Sequence, residues 1–207
     1  MYRIRTESPQ ADQSPRSFEF PGDRDAPRLP RSGNTALAAG ALLQAALGAV
    51  FVMAGLSKVV APDYAQQFHS FVLGSAGASD GLLSSLVQTV IVPHIDVAAE
   101  LARFTELIAG GVLVVGALEV ARRRFSGPFG ARRGYEAIVA LVSAIAAAVL
   151  GGLSLSLYLL QGGRLPSVTP DLAFVSPIAI ELLIVALAVG IAWLELGRFL
   201  ALRSSHP

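Results

Sequence analysis

The stretch ALAAGALLQAALGAVFVMAGLSKVV, residues 36–60, is almost entirely apolar and carries a single charged side chain, Lys58, close to its end. A helix needs about 20 apolar residues to cross a bilayer core of about 30 Å, so this stretch predicts a membrane-spanning helix. Three further runs reach the same length, at residues 101–120, 135–160 and 176–200. The sequence therefore predicts an all-α, integral membrane four-helix bundle in contact with the lipid bilayer.

The composition agrees with this prediction and excludes several classes of function. Hydrophobic residues make up 53% of the chain and charged residues 15%, which is too apolar for an ordinary soluble domain. A net charge of +1 gives no electrostatic basis for binding nucleic acid. The chain has no cysteine, and its three histidines lie outside the apolar runs, so we predict no covalently bound cofactor, no metal site and no haem held between membrane helices.

The remainder of the chain divides into tails and connections. Residues 1–35 are rich in Pro, Arg, Asp and Ser without an apolar period, which predicts a disordered tail. The membrane domain is expected to cover residues 36–200, and a short second tail residues 201–207. Small residues within the spans predict close helix packing.

Two short amphipathic segments separate the first two spans. Residues 62–74 have apolar side chains at helical spacing, and Ser79 is placed to cap a second short helix that ends before Pro93. Both are too short to span a membrane. We therefore predict interfacial helices that pack across the mouth of the bundle.

The distribution of arginine predicts the orientation. Six arginines precede the first span and five lie in the segment RRRFSGPFGARR, residues 122–133, whereas residues 62–100 contain no lysine or arginine. Positive charge is retained on the cytoplasmic side of membrane proteins. Both termini are therefore predicted to be cytoplasmic, and the interfacial helices to face the other side.

Ionisable side chains inside the spans are predicted to meet at one level of the bundle. Each costs about 2.5–3.5 kcal/mol at a helix centre on insertion scales, so each needs an explanation. Lys58 ends the first span, while Glu106 and Glu181 lie one to two turns into the second and fourth, and Tyr158 and Gln161 end the third. The predicted polar site lies just beneath the non-cytoplasmic surface, where it could exchange protons with a bound quinone or small acid.

Simpler explanations exist for the individual residues. Lys58 could extend its ammonium to the lipid headgroups, Arg103 could neutralise Glu106 on the same helix, and Glu181 could be a helix-start carboxylate favoured by the dipole. Against the first, Lys58 is the one lysine among 16 basic side chains. A compact charge that can lose its proton is favoured there over a guanidinium.

The segments LGAVFVMAGLSKVVAPDYAQQF and ELIAGGVLVVGAL resemble the DoxX family of small bacterial membrane proteins. The first is similar to a helix pattern LGxxFxxxGxxK and the second to ExxxGxxxxxG. The matching residues are Leu47, Gly48, Phe51, Gly55 and Lys58, followed by Glu106, Gly110 and Gly116. The segment LLQGGRLPSVTPDLAFVSPIAIELLIVAL also resembles the family's third loop and fourth helix, so that the resemblance covers residues 36–200.

The resemblance implies a multi-pass protein of the bacterial inner membrane. Family members are similar to the DoxD subunit of thiosulfate:quinone oxidoreductase, and this implies a subunit of a quinone-linked redox complex for thiosulfate or thiol oxidation or oxidative stress. Such a subunit is not expected to be catalytic alone. The resemblance also implies quinone as a ligand and redox proteins as partners. The alternatives are a non-catalytic scaffold that recruits soluble redox enzymes, or a small transporter. Oligomerisation is left open.

Overall fold

The computed structural model describes residues 32–79, 83–126, 135–163 and 178–204. It is 92% helical and contains no strand in the part described. The four long helices are α1 (Ser32–Val60), α5 (Ile95–Ser126), α6 (Glu136–Leu160) and α7 (Ile180–Ser204). Between α1 and α5 lie α2 (Tyr64–Gly74), α3 (Ala76–Ser79), α4 (Ser84–Leu86), a π-helical turn (Val87–Ile91) and a 3₁₀ turn (Val92–His94). The predicted all-α class is confirmed.

Four helical stretches are long and apolar enough to cross a membrane: Thr35–Val60, Ser84–Arg122, Glu136–Leu160 and Ile180–Ser204. Large apolar side chains are exposed along all four. Examples are Leu42 at 70%, Val115 at 61%, Ile138 at 62% and Trp193 at 77% exposed. An apolar surface on this scale is stable only against lipid or another apolar surface, so the chain is a multi-pass membrane protein.

The four long helices form a closed ring of antiparallel neighbours. Helix α1 packs mainly on α5 and helix α6 mainly on α7, while contacts between α5 and α6 and between α1 and α7 close the bundle. The centre is filled by buried apolar side chains from all four helices. The bundle predicted from the four apolar runs is therefore confirmed.

Glycines bring α1 and α5 together. A Cβ added to Gly48 would lie 2.7 Å from the carbonyl oxygen of Gly110, and one added to Gly110 would lie 2.9 Å from the carbonyl oxygen of Gly48. The two backbones therefore touch where neither helix has a side chain. In lipid, where water does not drive apolar surfaces together, such close packing is a main source of helix association.

The short helices α2 and α3 cover one end of the bundle, which we call the lid end. Helix α2 packs on α5, and α3 packs on the last turn of α6, where a Cβ on Gly77 would lie 2.2 Å from the carbonyl oxygen of Leu159. Val72, Val87 and Leu160 form a buried apolar cluster beneath them. The prediction that short helices pack across the mouth of the bundle is confirmed for the segment at residues 62–74, which forms α2, and α3 packs there as well.

The structure corrects three predicted boundaries. Helix α1 begins at Ser32 and α7 continues to Ser204, so these helices extend beyond the apolar runs at residues 36–60 and 176–200. The second span was predicted to begin at Leu101, but α5 begins at Ile95. Local composition misplaces these ends because a helix continues into polar residues as long as its backbone hydrogen bonds can form. Residues 1–31 and 205–207, and with them most of the predicted tails, lie outside the described residues.

The predicted start and end of the second short helix are also wrong. Ser79 is the last residue of α3 rather than a cap, and the chain does not leave the helical conformation at Pro93. The π turn before Pro93 and the 3₁₀ turn that contains it connect α4 directly to α5. Proline removes one hydrogen-bond donor and crowds the preceding turn, and a local change of helical pitch can absorb both effects without ending the helix.

Candidate functional site

The centre of the candidate site is an ion pair between α1 and α5. The ammonium of Lys58 donates a hydrogen bond to Oε2 of Glu106. The side chain of Glu106 is 4% exposed and that of Lys58 is 28% exposed. The interhelical pairing predicted from the sequence is confirmed. The ammonium of Lys58 binds a carboxylate and does not merely extend toward the lipid headgroups.

The helix crossing determines this pairing. A Cβ on Gly55 would lie 2.9 Å from the backbone nitrogen of Leu107, so α1 and α5 are in backbone contact at this level. Lys58 follows Gly55 by three residues and Glu106 directly precedes Leu107. The two charged groups therefore meet about one turn from the closest approach of the helices, where side chains of their length can reach each other.

Arg103 does not neutralise Glu106, and that alternative is wrong. Its guanidinium pairs with Glu100 and lies over the ring of Phe104, 5.2 Å from the ring centroid. Side chains of a helix lean toward its N-terminus, and on α5 this direction leads from Arg103 to Glu100 and the lid end. Nε of Arg103 is buried and has no hydrogen-bond partner within the described ranges of the chain.

Tyr64, at the start of α2, is a site residue that sequence reasoning did not select. It is 8% exposed and packs against Phe68, with 6.0 Å between the ring centroids. Burial, and secondarily the negative charge of Glu106, raise the pKa of the Tyr64 phenol to about 12. The phenol of Tyr64 therefore remains neutral, and it lies near enough to Glu106 to respond to its charge. The sequence feature that could have identified Tyr64 is its position directly after the turn at residues 61–63, which follows α1.

A pH-dependent loss of stability follows from Tyr64. An unfolded tyrosine has a pKa of about 10, and in the folded chain the pKa is about 12, so the unfolded chain releases this proton first. The stabilisation is complete below about pH 10 and is lost as the pH rises toward about 12. We expect the unfolding temperature in detergent to fall across this window, and the fall to be smaller in Tyr64→Phe.

Tyr135→Phe is the matched control, because Tyr135 lies at the opposite end of the bundle. Phenolate absorbance followed on the same samples should show that Tyr64→Phe removes a late-titrating group. An alkaline transition that is identical in wild type and Tyr64→Phe would contradict the assignment.

Glu181 forms a second, separate polar pair at the lid end. It lies in the first turn of α7 and accepts a hydrogen bond from Nε2 of Gln161, with 3.1 Å between the atoms. In the described part of the chain, no hydrogen bond or ion pair joins Glu181 to Lys58 or Glu106. Tyr158 is buried near the end of α6, where its carbonyl oxygen accepts the Gly163 N–H. The predicted single layer therefore contains two distinct pairs.

A further polar cluster lies deeper in the bundle and was not predicted. Gln44 on α1 is 1% exposed and Ser143 on α6 is 0% exposed. Both amide atoms of Gln44 and the hydroxyl of Ser143 lack hydrogen-bond partners among the described residues. A Cβ on Gly116 would lie 2.4 Å from Nε2 of Gln44 and 2.3 Å from Oγ of Ser143. The sequence feature that could have identified this cluster is Gln44, an amide side chain in the middle of the first apolar run.

Two acidic residues near the other end of the bundle, Glu119 and Glu195, pair with arginines. Arg122 donates hydrogen bonds to Glu119 and to the hydroxyl of Tyr135, each at 2.9 Å. Arg198 pairs with Glu195 at 3.2 Å. These contacts connect α5 to the residue preceding α6 and neutralise a buried carboxylate on α7.

The histidines do not contribute to a metal site in the described residues. His69 and His94 are exposed, and residues 32–79, 83–126, 135–163 and 178–204 contain no group of three side chains suited to hold a metal ion.

The Lys58–Glu106 pair combines a cation and a carboxylate in a poorly hydrated setting, and the charge of this carboxylate reaches the neutral phenol of Tyr64. Such a group can bind a polar head and exchange protons with it. Comparisons with protein-family models, with curated proteins and with solved structures found no match to this chain.

Proposed function

We propose that the chain is an integral membrane subunit of a quinone-linked redox complex of the bacterial inner membrane, in thiosulfate or thiol oxidation or the response to oxidative stress. The observation that carries the proposal is the ion pair between Lys58 on α1 and Glu106 on α5, whose carboxylate also contributes to the raised pKa of the Tyr64 phenol. The resemblance of the surrounding sequence to the DoxX family supports the same assignment.

The charge arrangement supports a binding role rather than a purely structural one. A buried ion pair recovers its desolvation cost only with good geometry and further hydrogen bonds, so apolar residues of similar size often stabilise a protein equally well. Helices α1 and α5 already associate through Gly48, Gly55 and Gly110. An ion pair is therefore not needed to hold them together, and its placement near the lid end favours interaction with a ligand.

The chemistry assigns a limited role to this chain. Reduction of a quinone takes up electrons and protons, and a chain without cysteine cannot supply electrons through thiols. Electrons would come from a partner protein. Lys58, Glu106 and Tyr64 would hold the polar head of the ligand and donate or accept hydrogen bonds and protons at its oxygen atoms.

The test is the activity of the chain purified with its native partners. We expect Lys58→Ala and Glu106→Gln each to lower thiosulfate-dependent quinone reduction at least about tenfold, the order of a single lost proton-transfer or electrostatic contact. Glu119→Gln, the same change near the other end of α5, serves as the matched control. Loss of activity counts only if the variant complex keeps its composition and amount.

Unchanged turnover in both site variants would remove these residues from the mechanism. The whole chain can also be replaced by a scaffold that retains the partners. If turnover then stays unchanged, the non-catalytic alternative is favoured.

A further inference from the structure

An uninterrupted apolar core separates the Lys58–Glu106 pair from the far end of the bundle. All nine residues of this core are buried and none carries a polar side chain. They come from all four long helices: Leu47, Phe51, Ala109, Leu113, Ala146, Ala147, Leu150, Ala188 and Ile191. This core begins within one turn of Glu106 on α5.

The core is thick enough to act as a barrier. Along α5, Glu106 is followed ten residues later by Gly116, which contacts Gln44 and Ser143. At 1.5 Å per residue the apolar layer is about 15 Å deep. Leu113 and Leu150 are fully buried within it. Protein interiors are packed as densely as organic crystals, and a proton or ion cannot cross such a layer without water or polar groups to carry it.

The opposite direction is open. The side chain of Lys58 is 28% exposed in the last turn of α1, and beyond it the chain leaves the span through the Pro62 turn into α2. Tyr64 at the start of α2 and Arg103, three residues before Glu106 on α5, both carry polar groups on the lid-end side of the pair. A polar ligand that approaches from the lid end therefore meets hydrogen-bonding groups from the surface inward.

We infer that the Lys58–Glu106 site is open only toward the lid end, so that it exchanges protons and polar ligands with one side of the membrane. The inference rests on the proposed function for the role of this site in turnover. It also separates the protein from a transporter, because alternating access would require the apolar core between Glu106 and Ser143 to come apart.

The single lysine makes this inference directly testable. The full chain carries Ser204→Cys, which adds one thiol at the far end of α7 to a sequence without cysteine. It is placed in sealed vesicles of uniform orientation, and membrane-impermeant amine and thiol reagents are added from one face at a time. Peptide mass spectrometry then measures the labelling of Lys58 and of position 204.

We expect Lys58 to be labelled at least about tenfold faster from the face opposite to the introduced thiol. The double variant Lys58→Arg with Arg203→Lys is the matched control, because it keeps the net charge and moves the lysine to the exposed end of α7. Its lysine should be labelled from the same face as the thiol. The same preparations solubilised in detergent supply the reactivity of each lysine without a membrane.

Any other pattern overturns the inference, whether Lys58 is labelled from both faces, from the thiol face alone, or from neither. The two proposals fail separately. One-sided labelling of a chain whose Lys58 and Glu106 variants keep full turnover would overturn the proposed function and support the one-sided site. If Lys58 is labelled from both faces while the Lys58 and Glu106 variants lose turnover, the one-sided site is overturned and the proposed function is supported.

Discussion

Lys58→Met is expected to lower the free energy of unfolding by about 3–5 kcal/mol, the cost of leaving a buried charge without its partner. The carboxylate of Glu106 is 4% exposed and would remain in the bundle with no cation beside it. Arg103 cannot take over because its guanidinium is held by Glu100 and Phe104. Unfolding in detergent, followed by the loss of helical signal with denaturant, measures this change.

Removing the other partner of the pair, Glu106, is expected to lower the free energy of unfolding by clearly less. In Glu106→Leu the stranded group is Lys58, which is already 28% exposed in the last turn of α1 and can extend its ammonium toward the lid end. The double variant Lys58→Met with Glu106→Leu should recover most of the stability, since apolar pairs often replace buried ion pairs at little cost. Equal losses in the two single variants, or strictly additive losses in the double variant, would contradict a buried, mutually dependent pair.

Gly110→Ala is expected to destabilise the bundle by about 1–3 kcal/mol or more, the usual cost of overpacking. Its new methyl group would lie 2.9 Å from both the carbonyl oxygen of Gly48 and the backbone nitrogen of Val52. Both are backbone atoms of α1 and cannot rotate away, so the two helices have to separate. The separation would also pull Lys58 away from Glu106, and we expect the variant to lose site function along with stability.

Gly111→Ala is the matched control for this prediction. The position is adjacent on the same helix, and a Cβ there would meet nothing within 4 Å. Alanine favours a helix over glycine by about 1 kcal/mol, so this variant should be as stable as wild type or slightly more stable. Unfolding temperature and monodispersity in detergent compare the two directly. Similar behaviour of both variants would mean that α1 and α5 do not touch through their glycines.

Some features of the site could be read from the chain because they depend on position along a helix. Charged residues in an apolar run are costly, and Lys58 and Glu106 each lie within one to two turns of one end of the apolar runs at residues 36–60 and 101–120. The cost of both residues falls when two opposite charges lie at the same depth on neighbouring helices and pair. Their pairing was therefore predictable, although the rotation of each helix was not known.

Other features depended on which way a helix faces. Arg103 and Glu106 have the spacing of a helical ion pair, but so do Arg103 and Glu100, and only the direction of the side chain selects the second. Glu181 lies at the expected depth, yet it pairs with Gln161 on α6. Depth alone did not determine these partners, because helices at the same level can present different faces to one another.

The number of spans, the helical class and the depth of the ionisable groups could be predicted from the chain before its fold was known. These follow from length and hydropathy, since a backbone in lipid must satisfy its hydrogen bonds within one segment. Other features became visible only in the folded chain: Tyr64 is buried at the start of α2, Gln44 meets Ser143 across Gly116, and an apolar core lies between this cluster and the ion pair. Those contacts join residues far apart in the chain, and they depend on how closely glycine lets α1 and α5 approach and on the rotation that this approach imposes on each helix.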